Sequence, residues 1–112
     1  MGLFSNNRQK KQQQEKEEFL RRLDGRELHY VVRRNQSGSG PAEQVLGKGG
    51  RIMTASGQVR LMAGDTEVFL NDHPETVNCG ELMSLNGVMF QGYNQLIDRD
   101  DTIICYYAYY RK

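Results

Sequence analysis

The chain has 112 residues, 38% of them hydrophobic and 26% charged, with a net charge of +1. That length suits one domain with a core of its own and leaves no room for two. Residues 1–34 carry nine Lys/Arg against five Asp/Glu, while residues 35–112 carry six against nine, so a basic arm precedes an acidic body, and the body lacks the excess of positive charge on which phosphate-backbone binding depends.

Residues 1–25 read as a polar helical arm. The stretch 5-SNNRQKKQQQEKEEFLRRLDG-25 is rich in Gln, Lys, Glu, Leu and Arg and has no Gly or Pro before Gly25, which favours helix. Ser5 or Asn6 can cap its start, and Gly25 can end it in a left-handed conformation. Apolar residues come only at Phe19, Leu20 and Leu23. That cluster docks the end of the helix, whereas residues 7–18 lack an apolar stripe, and the first two turns are expected to be exposed and frayed. The start MGLFSN fails as a myristoylation signal because Asn6 stands where Ser or Thr is needed. Residues 1–20 show no apolar run of the signal-peptide kind, and no stretch approaches membrane-spanning length, so the expected location is the cytoplasm, without membrane contact.

Residues 26–112 read as an antiparallel β-domain. In 26-RELHYVVRR-34 the alternation puts Leu28, Tyr30 and Val32 on one half-buried face, with His29 opposite. The polar stretch 35-NQSGSGPAEQ-44 is the longest expected loop. Short strands follow. Arg51–Ala55 and Gln58–Ala63 flank a turn at Ser56-Gly57, and Gly64-Asp65 leads into Thr66–Leu70 through a type II′ turn. In 81-ELMSLNGVMFQG-92, Asn86-Gly87 predicts a two-residue type I′ turn. That turn would set Leu85 opposite Val88 and Met83 opposite Phe90 on an apolar face, leaving Leu82 and Met89 on a mixed one. A helical turn over Glu81–Leu85 is the competing expectation. After a charged turn at 98-DRDD-101 comes the last strand, Thr102–Tyr110. The fold expected is mainly β, an N-terminal helix followed by a small antiparallel meander forming a barrel or sandwich.

On the last strand Ile103, Cys105, Tyr107 and Tyr109 point one way, and Ile104, Tyr106, Ala108 and Tyr110 the other. Two apolar faces predict a central strand, with the core on one side and the docked helix end on the other. Alternatively, Tyr106 and Tyr110 form a platform on which bases stack, or a patch that binds protein.

Motifs for chemistry are imitated and not completed. The run 47-GKGGR-51 lacks the Gly and Ser/Thr of a phosphate loop, since Ala42 and Gly49 hold those positions. Asp98, Asp100 and Asp101 resemble the start of a calcium loop, but Tyr109 falls where the closing glutamate belongs, which leaves a solvated turn. His29 and His73 have no local ligand partners, and Cys79 and Cys105 have no metal or redox spacing. No catalytic, cofactor-binding or metal-binding residues are therefore expected. The reading is a non-catalytic binding or assembly module acting on a protein partner or on itself, with Leu82, Met89, Tyr106, Tyr110 and Arg111 as candidate contacts. The alternative is single-stranded nucleic-acid binding by the tyrosine strand and the basic arm.

Overall fold

The structure is a computed structural model that describes residues 14–34 and 42–108. A helix, α1, covers residues 14–23, and eight strands follow: β1 (Leu28–Arg34), β2 (Glu43–Lys48), β3 (Gly50–Met53), β4 (Val59–Ala63), β5 (Thr66–Asn71), β6 (Asn78–Glu81), β7 (Gly87–Asn94) and β8 (Arg99–Tyr107). They form two antiparallel sheets, one of five strands in the order β2-β1-β8-β7-β6 and one of three in the order β3-β4-β5. The protein is thus mainly β with one helix among the described residues, and its strands do not close into a barrel.

One core lies between the sheets. Val31, Val88, Phe90, Ile103 and Cys105 fill it from the five-stranded side, and Ile52, Val59, Leu61 and Phe69 from the other. Leu20 and Leu23 of α1 join this same cluster, with Phe19 packed against it. The helix end therefore docks on the core side of β8 and not, as expected, on the opposite face. Gly25, at φ 82, ends the helix left-handed as the sequence predicts, and its N–H donates to the Ile52 carbonyl at 2.7 Å.

The sheets meet at two seams. At the first, Glu27 bridges Arg51, and the Gly49 N–H donates to the His29 carbonyl at 2.7 Å. At the second, the side chain of Asn94 replaces a backbone ladder. Its Nδ2 donates to the Val68 carbonyl at 2.8 Å and to Asp101 Oδ2 at 3.0 Å. Its Oδ1 accepts from the amides of Leu70 at 3.3 Å and Leu96 at 3.0 Å. All four hydrogen-bonding positions of a fully buried amide are used.

Several expectations are corrected. β1 does not alternate evenly: an irregularity between Leu28 and Tyr30 in its pairing with β8 puts Leu28 and Val31 into the core and turns Tyr30 and Val32 outward. β8 starts at Arg99, so 98-DRDD-101 is not simply a solvated turn. Asp101 is buried, and Arg33 Nε donates to both of its oxygens, at 3.0 and 3.1 Å. The β6–β7 hairpin exists without a two-residue Asn-Gly turn or a helix over Glu81–Leu85. Glu81 pairs with Val88 and Cys79 with Phe90, leaving a longer loop in which Leu85 takes φ 64 and its N–H donates to the Leu82 carbonyl at 2.9 Å. Met83 and Leu85, expected on one apolar face with Val88 and Phe90, are exposed as a result. The β4–β5 hairpin forms at Gly64-Asp65 as read, with Gly64 at φ 60, whereas β3 and β4 pair but stop at Met53 and Val59 and are joined by a 3-10 turn over Ala55–Gly57 in place of a tight Ser56-Gly57 turn.

Candidate functional site: the outer face of the five-stranded sheet

Directly paired residues in a sheet point to the same side, so the register fixes the outer face. Val45 pairs with Val32, Val32 with Ile104, and Ile104 with Met89, one apolar row across β2, β1, β8 and β7. A second row runs from Tyr30 to Tyr106 to Gly87. The Tyr30 and Tyr106 rings stack with centroids 4.5 Å apart and planes 20° apart. Leu82 completes this row: its N–H donates to the Gly87 carbonyl at 2.9 Å, and its Cδ1 stands 3.1 Å from where a side chain on Gly87 would begin. A side chain on Gly87 would also begin only 2.5 Å from the Cys105 carbonyl oxygen, so backbone as well as Leu82 reserves that position for glycine.

Three of the five candidate contacts, Leu82, Met89 and Tyr106, therefore lie on one face. Tyr110 and Arg111 lie outside the described residues. Val32 and Ile104 are buried in the middle of the row, and the accessible apolar groups sit at its margins. At one margin Val45 is 60% exposed; at the other Met83 is fully exposed and Leu85 54% exposed, next to Leu82. Met83 and Leu85 were missed as contact residues because an Asn-Gly pair so strongly suggests a tight turn that would have set them on an apolar face with Val88 and Phe90. Ser84 Oγ donates to Asn86 Oδ1 and helps set the loop. The Tyr107 N–H donates to the Asn86 carbonyl at 2.9 Å and ties the loop to β8.

Burial raises the Tyr106 phenol above its usual value, Glu43 and Tyr30 adding to the effect and Arg34 opposing it. Tyr30 covers one face of the Tyr106 ring, and Glu43 lies close enough to act on its phenol. Arg34 and Glu43 pair at 3.6 Å across β1 and β2.

No family model matches the chain, and no curated protein or solved structure is similar to it. The candidate site thus stands on its own geometry.

Groups with chemical potential are scattered. His29 is exposed against the edge of Tyr30, at 5.3 Å between centroids, and His73 Nδ1 lies 3.7 Å from Glu75 on the surface. Among the described residues no group of three His, Cys, Asp or Glu could hold a metal ion. No helix is long and apolar enough to cross a membrane. An open groove between α1 and the β3–β4 connection, lined by Lys16, Arg21, Asp24, Thr54 and Glu75, is spanned by structural hydrogen bonds. Asp24 Oδ1 accepts from the Thr54 amide at 2.7 Å, and Lys16 Nζ donates to the Glu75 carbonyl at 3.1 Å.

Cys79 on β6 and Cys105 on β8 stand two strands apart, with β7 between them. At about 4.8 Å per strand their separation exceeds what a disulfide spans. Burial raises both thiols, Cys105 far more, with Lys16 partly offsetting the effect at Cys79. In native protein an aromatic disulfide reagent should titrate Cys79 slowly and Cys105 only after unfolding; two equally fast thiols would contradict the burial of Cys105. The same groups give a pH dependence. Burial also raises Tyr107, with Glu81 adding to the effect and Arg26 opposing it. Unfolded thiols and phenols ionise from about pH 8.5 to 10, whereas these folded groups keep their protons. The unfolded chain then binds fewer protons than the native one, so stability falls as pH rises into and through that range. Urea midpoints should be level from neutral pH to about pH 8 and decline beyond it, with a shallower decline in Cys105→Ala.

Proposed function

We propose that the protein is a non-catalytic binding module that docks a protein partner through the β6–β7 loop tip and the adjoining outer face. The observation that carries this reading is the exposure of Met83 and Leu85 beside Leu82. A chain of this size gains nothing in folding from two large apolar side chains in water, and such groups, backed by a rigid sheet, are typical anchors for a partner's pocket. Met89 and Tyr106, half-buried on the same face, would widen the contact with the amphipathic groups that interfaces favour.

The test is capture by the immobilised full chain, compared with Met83→Asp/Leu85→Asp. Because both side chains are exposed, the double variant should keep its melting temperature within the spread of ordinary surface changes, about ±0.5 kcal/mol each. It should lose the protein retained by the wild type, while a Leu96→Asp control keeps it. Equal capture by the double variant would refute the loop tip as the site. Capture dominated by nucleic acid and abolished by salt would support the tyrosine platform instead.

A further inference from the structure

We infer that β2 is a self-pairing edge, through which two copies of the chain join into one continuous antiparallel sheet. Four strands lie at the margins of the two sheets, and three of them have company. β6 runs beside α1, where Glu15, Lys16 and Phe19 line a shallow crevice with Asn78–Glu81. β3 exchanges hydrogen bonds with Gly25 and Arg26 through Ile52. β5 is tied to the end of β7, where the Gln95 N–H donates to the Leu70 carbonyl at 2.9 Å and Asn71 Nδ2 to the Tyr93 carbonyl at 2.8 Å. Among the described residues, β2 has a hydrogen-bonded strand only on its β1 side; its last residues, Gly47 and Lys48, lie close against Ala63 and Gly64, which leaves the first half of the strand open. Its free edge carries Glu43, Gln44 and Val45, all exposed. An open edge with an exposed valine is a template for another strand.

The charges select the partner and its direction. Glu43 and Lys48 stand at opposite ends of the strand 43-EQVLGK-48. Antiparallel pairing of two copies brings Glu43 of one beside the end carrying Lys48 of the other, and symmetry makes that contact twice. Parallel pairing would instead set like charges together. Two identical edges can meet antiparallel only about a two-fold axis normal to the sheet. That axis keeps both outer faces on the same side. With the axis near Val45, the apolar rows of the two copies meet valine to valine. The irregularity between Val31 and Val32 in the β1–β2 register keeps the regular edge short. The contact is therefore well below the roughly 800 Å² per partner of a standard stable interface, and the dimer is expected to exchange with monomer. The pairing is independent of the β6–β7 loop tip, which lies across the sheet.

Sedimentation velocity of the full chain over a roughly hundredfold concentration range tests this. The wild type should shift from monomer towards dimer. Glu43→Lys and Lys48→Glu should each weaken the dimer about tenfold by creating two like-charge contacts, and Val45→Lys should leave only monomer. The double exchange Glu43→Lys/Lys48→Glu should restore the dimer to within about threefold of wild type. Unchanged melting temperatures would show that the variants fold. A monomer at every concentration, or a dimer indifferent to Val45→Lys and both single charge reversals, would overturn the inference. Met83→Asp/Leu85→Asp should leave the dimer intact, which separates failure here from failure of the loop-tip reading.

Discussion

Asn94→Ala should lower the free energy of unfolding by about 3–5 kcal/mol, the largest loss expected from any single polar substitution in this protein. The side chain is wholly buried and makes four hydrogen bonds, to Val68, Leu70, Leu96 and Asp101. Alanine leaves a carbonyl, two amides and a carboxylate oxygen each one partner short in a buried setting. Asp101 suffers most, because its charge is then held by Arg33 and the Thr102 amide alone among these contacts. Asn94→Asp should be no milder despite its near-identical shape: it removes the donors and sets a second carboxylate beside Asp101. Urea titration measures the loss, and Gln95→Ala next door, on an exposed side chain, should stay within about 0.5 kcal/mol of wild type. Hydrogen exchange adds a signature that general destabilisation lacks. The amides of Leu70 and Leu96 should exchange early in Asn94→Ala, while the β7–β8 ladder keeps its ranking. A loss under about 1 kcal/mol would mean that Asn94 does not hold the seam.

Gly50→Ala should be nearly as damaging, at roughly 3–5 kcal/mol, while Gly49→Ala beside it should cost only about 1–2 kcal/mol. Both glycines have positive φ, 75° at Gly49 and 121° at Gly50. The difference is space. A methyl group at Gly49 meets nothing within 4 Å, whereas at Gly50 it would sit 1.9 Å from the Met62 carbonyl oxygen. Backbone cannot swing aside as a side chain can, so β3 would have to leave β4 at their first pair, Gly50 with Ala63. The pair of variants, compared by thermal melting, separates strain from collision. Equal losses would show that φ alone governs both positions.

The run 47-GKGGR-51 also shows what could be read without coordinates. As a glycine-rich turn between strands it was legible, because the helix-free context is local. That one of its glycines is fixed by collision and its neighbour merely by φ depends on β4 and has no local trace. The same division holds elsewhere. The helix end at Gly25, the β-rich body and the inward set Ile103, Cys105 and Tyr107 follow from propensity and period. The outward turn of Tyr30 and Val32 was hidden because an irregular register between two strands leaves the sequence of either one unremarkable. Asp101 was taken for solvent-facing because its partner, Arg33, comes from the other end of the chain. At the candidate site, Leu82 and Met89 were singled out by the mixed face of their hairpin and Tyr106 by the aromatic face of the last strand, and only the register sets the three on one side of the sheet. Met83 and Leu85 were lost to a turn motif that the hairpin overrode: pairing Cys79 with Phe90 buries Phe90 on the core side and leaves the extra residues to the loop.

The strand order carries a consequence for how the protein is made. β3, β4 and β5 are consecutive in sequence and pair as a meander, so they can zip together as soon as Asn71 has been synthesised. The larger sheet cannot. β8 lies at its centre, between β1 and β7, and is the last described strand to be made, so β1 must wait roughly seventy residues for its partner. During that interval β1 and β2 pair only with each other in the larger sheet, held to the smaller one by the Glu27–Arg51 seam, and a two-stranded hairpin is marginal in water. Folding should therefore begin in the three-stranded sheet and finish abruptly when β8 inserts. A nascent chain halted before Arg99 would present β1 and β7 as two open edges, and chaperone dependence or aggregation should peak there.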